Sequence, residues 1–209
     1  MNAWLRWKPA NEGQDVRVIA GTAGGRRLVT PTGLGTRPTS DRVKEALFSA
    51  LGSMRGGLQD AVVLDLYAGS GSLAVEALSR GAAQAVLVEN DAAALQAIRQ
   101  NLETAGVSDR ATIVRADAAK YCQAPERFGA VHAFDLVLLD PPYEEPQEGL
   151  FQRLVDLRAA GALSPEACVA IERDRRADDP DPPGWLARER VRTYGDTMVR
   201  YFRCQEDRR

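Results

Sequence analysis

Ten residues, Val62-Val-Leu-Asp-Leu-Tyr-Ala-Gly-Ser-Gly71, constrain the fold of this chain more than any other stretch. Val62, Val63 and Leu64 are apolar and rich in β-branching, the pattern of a strand buried on both faces of a parallel sheet. Asp65 closes that run, glycines follow at Gly69 and Gly71, and Leu73, Ala74, Ala77 and Leu78 then recur at helical spacing. The order is therefore strand, glycine turn, helix. Glycine lets the backbone bend sharply and approach a ligand that a Cβ would push away. Open α/β sheets bind nucleotides at such turns, at the carboxyl ends of their strands.

The turn alone leaves the ligand open. Gly69-x-Gly71-x-x-Ala74 fits a dinucleotide fingerprint, with Glu89 as the downstream acid for a ribose. The carboxylate at Asp65 and the lack of a glycine at position 74 lean away from a pyrophosphate. They suit a cofactor bearing an amino group, such as S-adenosylmethionine.

A chain of 209 residues and 22.7 kDa is long enough for one α/β domain with a real core. Its net charge of −2 gives no global electrostatic case for nucleic acid. The distribution does: Arg17, Arg26, Arg27, Arg37, Arg42 and Lys44 face only Asp41 between Arg17 and Lys44. A local basic face on an acidic protein points to a phosphate-bearing partner. Cys122, Cys168 and Cys204 are odd in number and widely spaced, which argues against disulfides and zinc and for a reducing compartment. With His132 as the single histidine, His-dependent triads and multi-His metal sites are nearly excluded, and no metal is expected. No apolar run reaches membrane-spanning length, so the expected location is the cytoplasm.

Residues 1–14, with Trp4 and Trp7, read as a flexible extension. Residues 15–58 read as an N-terminal hairpin, loop and helix, and 59–209 as the core. The hairpin is signalled by Val16–Ala20 and Arg26–Val29 across Gly-Thr-Ala-Gly-Gly. Ser40 or Asp41 caps a helix with Val43, Ala46, Leu47, Ala50 and Leu51 on one face, and Gly52–Gly57 breaks the chain after it. Arg42 and Glu45 sit one turn apart on that helix and are placed to pair. Strands are expected at 61–66, 84–88, 111–115, 134–139 and 167–172, with helices at 72–80, 91–105, 118–123 and 147–160 between them. A closing hairpin of 186–193 and 197–203 follows a Pro-rich loop at 178–183. This pattern predicts a doubly wound, mostly parallel seven-stranded α/β sheet with right-handed crossovers.

The fourth buried strand runs into Asp140-Pro141-Pro142-Tyr143, at the switch point beside the Asp65 strand end. Two prolines stiffen the loop and remove two N–H donors, leaving carbonyls as acceptors. Asp140 adds a carboxylate and Tyr143 a flat ring. That set fits the alkylation of a nucleobase exocyclic amine, a poor nucleophile because its lone pair is delocalised. If Asp140 and the Pro141 carbonyl each accept one N–H, the nitrogen can pyramidalise with its lone pair toward an electrophilic methyl. Tyr143 would stack on a base turned out of its helix. This chemistry does not separate guanine from adenine.

At these residues the chain resembles the S-adenosylmethionine-dependent amino-methyltransferases, and more closely the bacterial RsmD-type enzymes that modify a guanine amine in 16S ribosomal RNA. The resemblance runs from about Arg17 to Arg203. It is carried by Arg17–Leu28, Thr36–Phe48, Asp65–Gly71, Glu76–Gly81, Asp140–Tyr143 and Tyr194–Thr197. It implies a Rossmann-like fold, S-adenosylmethionine as cofactor with S-adenosylhomocysteine as product, and 16S ribosomal RNA or the small ribosomal subunit as partner. It further implies Asp65, Tyr67, Ala68, Gly69 and Gly71 around the methionine part, Glu89 and Asn90 at the ribose, and Asp117 and Ala118 at the adenine. Arg37 and Thr39 would close over the methionine end, and Arg17, Arg26 and Arg27 would hold RNA phosphates. A monomer is expected. The rival readings are an NAD-dependent oxidoreductase on the same sheet and a catalytically silent RNA-binding module.

Overall fold

The computed structural model describes residues 16–31, 40–129, 133–142 and 145–206. Trp4, Trp7, Arg37, Thr39, His132 and Tyr143 lie outside the described residues. The N-terminal hairpin forms as expected: Val18 N–H donates to the Arg26 carbonyl, Gly25 N–H to Val18 and Leu28 N–H to Val16. Ser40, rather than Asp41, caps helix α1 (Asp41–Arg55), its Oγ accepting the Val43 N–H. Gly52 does not break this helix, because Leu47, Phe48 and Leu51 pack its last turns into the core. The stop comes at Gly56, whose φ of +80° makes the left-handed cap.

From there strands and helices alternate: β1 (Val62–Leu66), α2 (Ser72–Ser79), β2 (Gln84–Glu89), α3 (Ala92–Ala105), β3 (Ala111–Arg115), α4 (Ala118–Gln123) and β4 (Phe134–Leu139). Helix α5 (Gln147–Ala159), β5 (Leu163–Asp174), β6 (Leu186–Tyr194) and β7 (Thr197–Cys204) complete the chain. The sheet is ordered β3-β2-β1-β4-β5-β7-β6, with β7 antiparallel to both of its neighbours. Helices α2 and α3 pack on one face together with α1 and the hairpin, around Leu47, Leu73, Leu87 and Ile98. Helices α4 and α5 cover the other face through Tyr121, Leu150 and Leu154. The hairpin and α1 thus belong to the core that the sheet organises. Strand β5 is longer than its apolar centre suggests. At its start Leu163 pairs with Phe134 ahead of a register shift, and its polar end, Arg173 and Asp174, pairs with Met198 and Thr197.

Buried polar groups, as well as apolar contacts, dock the hairpin. Glu76 on α2 is fully buried, and its carboxylate accepts from Ile19 N–H at 2.7 Å, Ala20 N–H at 3.0 Å and Arg80 Nε at 2.6 Å. Arg80 also takes Glu45 at 2.8 Å, so Glu45 pairs with α2 instead of with Arg42. Close approach at Gly21 is absolute, since a Cβ there would lie 1.9 Å from the Ser79 carbonyl oxygen. Asn101 on α3 closes the arm: it exchanges two hydrogen bonds with the Val29 backbone and donates a third to the Ser70 carbonyl.

Among the described residues no helix is long and apolar enough to cross a membrane. The three cysteines are buried and free. Removing one partner of a buried ion pair leaves the other uncompensated. Glu76→Ala is expected to lower unfolding free energy by about 3 kcal/mol, read by chemical denaturation, with faster proteolysis between residues 16 and 29.

Candidate active site

Strands β1 and β4 are parallel neighbours, paired Asp65 to Leu138 and Leu66 to Leu139. Tyr67 and Asp140 are therefore the first residues past the paired register on adjacent strands, which lie about 4.8 Å apart. The glycine turn and the Asp140–Pro142 loop open from this one corner of the sheet. They form one site.

Tyr67 holds φ at +61°, a left-handed backbone that costs a non-glycine residue on the order of 1 kcal/mol or more. The turn is tied down by Ala68 N–H to the Val88 carbonyl at 3.1 Å and by Gly71 N–H to the Ala68 carbonyl at 2.7 Å. Gly71, at φ +74°, sits against Leu87 and Ile98, and a Cβ there would come within 3.0 Å of the Leu87 side chain. Gly69 differs. A Cβ on it would meet nothing nearer than the Tyr67 carbonyl at 4.0 Å, so its bare backbone faces open space. That is a cradle a ligand can fill.

Acid groups ring this space. Asp65 is fully buried beneath the turn and its Oδ2 accepts the Ala74 N–H at 3.1 Å, in the first turn of α2. Its carboxyl is raised to about 8, chiefly by burial and in addition by the charges of Asp140 and Glu89, with the Ala74 hydrogen bond opposing. Glu89 and Asp140 each follow directly on the residue paired with Leu66, Val88 on β2 and Leu139 on β4, so the ends of β2 and β4 flank the end of β1. Glu89 is oriented by three backbone donors, Gly69 N–H at 2.8 Å, Asn90 N–H at 2.7 Å and Asp91 N–H at 2.9 Å. The same carboxylate thus ties the end of β2 to the glycine turn. Asn90 is exposed beside it. Asp117, two residues past β3, caps α4 through Lys120 N–H at 3.1 Å, and Ala118, the first residue of α4, is buried.

Beyond β4, Pro141 is buried and Pro142 exposed. The Pro142 carbonyl accepts both Glu145 N–H and Arg173 Nη1, each at 3.1 Å. Tyr67 packs with the α4–α5 face, and burial, reinforced by Glu145, pushes its phenol up to about 12, so it stays neutral.

The hairpin arginines stand apart from this corner. Arg17 Nε pairs with Asp41 at 2.7 Å, although its side chain remains 56% exposed. Arg26 Nη1 donates to the Thr104 carbonyl at 2.7 Å, in the last turn of α3. Glu89 meets the opposite end of that helix, about 20 Å away for its length. Arg17 and Arg27 face each other across the hairpin bridge. Among the described residues no group of three His, Cys, Asp or Glu is placed to hold a metal ion. Sequence reasoning gave no role to Arg173, Asn101 or Glu76, whose partners include backbone atoms distant in the chain.

Bare backbone at Gly69 and an oriented carboxylate at Glu89 suit an adenosine-type cofactor. Comparisons with known proteins agree. The family described as Conserved hypothetical protein 95 is matched by residues 16–203. Ribosomal RNA small subunit methyltransferase D of Escherichia coli is 34% identical over 197 residues, 93% of this chain and 93% of that protein. The solved structure of yhhF from Escherichia coli is 30% identical and superposes with a TM-score of 0.78, covering 93% of this chain and all of that one. An RNA methyltransferase from Salinibacter ruber, solved with S-adenosyl-L-homocysteine, has the same fold: TM-score 0.59 at 21% identity, covering 82% and 96% of the two chains.

Asp65 supplies a pH test. Its folded value lies above the ordinary 3.8, so between about 4 and 8 the folded chain keeps a proton that the unfolded chain has lost. That contribution to stability falls as pH rises through the window. Asp65→Asn, which keeps an acceptor for Ala74 N–H, is expected to gain Tm relative to the parent from pH 5 to pH 8.5, by about 5 °C or more. A pH-independent difference between the two melting curves contradicts it.

Proposed function

The chain belongs to the Conserved hypothetical protein 95 family, the RsmD family, and on that footing we propose that it methylates the exocyclic amine of a guanine in small-subunit ribosomal RNA. The observation that supports this most is the shared corner of β1 and β4, which puts an acceptor loop next to an open glycine cradle. S-adenosylmethionine, when bound, supplies an electrophilic methyl group on a sulfonium. Everything else falls to residues of this chain.

In this reading Gly69 and Ala68 leave room for the methionine part, with Asp65 buried beneath them. Glu89, held by its three amides, receives the ribose hydroxyls, with Asn90 beside it. Asp117 and the Ala118 N–H meet the adenine. Arg37 and Thr39 close over the methionine end. Asp140 and the Pro141 carbonyl each accept an N–H of the target amine, which turns its lone pair out of conjugation and toward the methyl. No strong base is required, because the amine becomes acidic as positive charge develops on nitrogen. The acceptors stabilise that charge while it forms. Because the Pro142 carbonyl already takes two donors, its lone pairs are committed, and the amine is directed to Pro141. Tyr143 stacks on the base, which has to leave its helix to reach the site.

Guanine is favoured over adenine by the family rather than by the loop, since both bases carry an exocyclic amine. Arg17, Arg26 and Arg27 are assigned to RNA phosphates. Internal partners make Arg17 and Arg26 positioned charges, contributing affinity but not sequence choice.

The test is methyl transfer to ribosomal RNA from a strain lacking the gene, followed by mass mapping. The intact protein is expected to restore one methyl on a guanine of the small-subunit RNA and to release S-adenosylhomocysteine. Asp140→Ala is expected to lower the transfer rate by about 10²-fold or more while calorimetric affinity for S-adenosylhomocysteine stays within a few fold. Turnover near the parent rate in that variant removes the mechanism.

A further inference from the structure

Arg173 lies near the carboxyl end of β5, two residues past Ile171, which pairs with Leu139 on β4. That register sets it beside Pro141, and alternation puts it on the face of Ile171, the α4–α5 face where the loop crosses. Its side chain is 9% exposed. Nη1 donates to the Pro142 carbonyl at 3.1 Å and Nη2 to the Glu145 carbonyl at 2.6 Å. One planar guanidinium thus bridges both ends of the segment that carries Tyr143.

Two further contacts continue the arrangement. Glu145 pairs with Arg153 of α5 at 3.0 Å, and Arg200 of β7 donates to Gln147 Oε1 at 3.3 Å, at the start of α5. The C-terminal side of the loop is therefore held by cations from β5, α5 and β7. Arg173 touches the backbone on both sides of Tyr143.

We propose that Arg173 is a positioning residue for methyl transfer: its guanidinium fixes the spacing of the Pro142 and Glu145 carbonyls and so holds Asp140 and the Pro141 carbonyl in the geometry the amine requires. This rests on the function proposed above. Burying a charged side chain is costly unless its donors are well used, and a fork with fixed geometry is the group that clamps two carbonyls. By saturating the Pro142 oxygen, together with Glu145 N–H, Arg173 also selects which carbonyl remains for substrate. A lysine offers a point charge without the fork and cannot set that spacing.

The experiment compares Arg173→Ala and Arg173→Lys with the parent in the whole chain. Three readouts are used: kcat on ribosomal RNA, affinity for S-adenosylhomocysteine, and hydrogen exchange at the Glu145 amide, which bonds to Pro142. Arg173→Ala is expected to lose about 30- to 100-fold in kcat, to bind S-adenosylhomocysteine within twofold of the parent, and to exchange Glu145 about tenfold faster or more. Added methylguanidinium restores part of the rate, and Arg173→Lys falls between. Parent-like exchange at Glu145, or unchanged kcat in folded Arg173→Ala, overturns the proposal. Should Arg173→Ala fail to fold, the same two results in Arg173→Lys decide. Faster exchange alongside a parent protein that releases no S-adenosylhomocysteine supports the brace and overturns the methyl-transfer reading instead.

Discussion

Parallel pairing of β1 with β4 is the constraint on which the site depends. Because the sheet runs β3-β2-β1-β4-β5, the chain leaves β1 toward one face and reaches β4 from the other. The loops after these two strands diverge, and a cleft opens between them. Nothing in either loop creates that cleft. The pairing of Leu66 with Leu139 does, and it is secured by side chains with no polar atom: Val63, Leu64, Leu66, Leu136, Val137 and Leu139 are all buried. Apolar packing sets the distance over which the polar groups act.

Around this frame the protein spends polar contacts where backbone has to be held in one place. Glu76 and Asn101 fix the hairpin, Glu89 fixes the glycine turn, and Arg173 fixes the loop after β4. Each is a side chain bonded to backbone amides or carbonyls far away in sequence. Such contacts add modestly to net stability, but leaving one unmade costs about 1–3 kcal/mol, which enforces a single arrangement. Asn101 is notable for reaching both the arm and the turn. Displacing either displaces its shared partner.

Much of this was legible from the residues. Strands buried on both faces advertise themselves by continuous apolar runs, and β1 to β4 fall within a residue or two of their expected limits. Asp91 and Gly106 mark the ends of α3 as their chemistry dictates. The two prolines after Asp140 pointed to a rigid acceptor loop, and it lies beside the glycine turn as the strand order required. The failures have a common cause. Gly52 reads as a breaker until the packing of Leu51 is known, and Glu45 reads as a partner for Arg42 until Arg80 is seen across the interface. Arg173 carries no sequence signal because its acceptors are carbonyls, which every residue carries. Pattern reveals which side chains are apolar, but not which backbone atom a buried charge will find.

The most direct measurement is a crystal structure of the protein with S-adenosylhomocysteine. The account predicts the thioether sulfur over Gly69, directed at the gap between the Asp140 carboxylate and the Pro141 carbonyl. An amine nitrogen placed there would stand about 3–3.5 Å from a transferable methyl. A cofactor seated away from the glycine turn, or with its sulfur turned from Asp140, contradicts it.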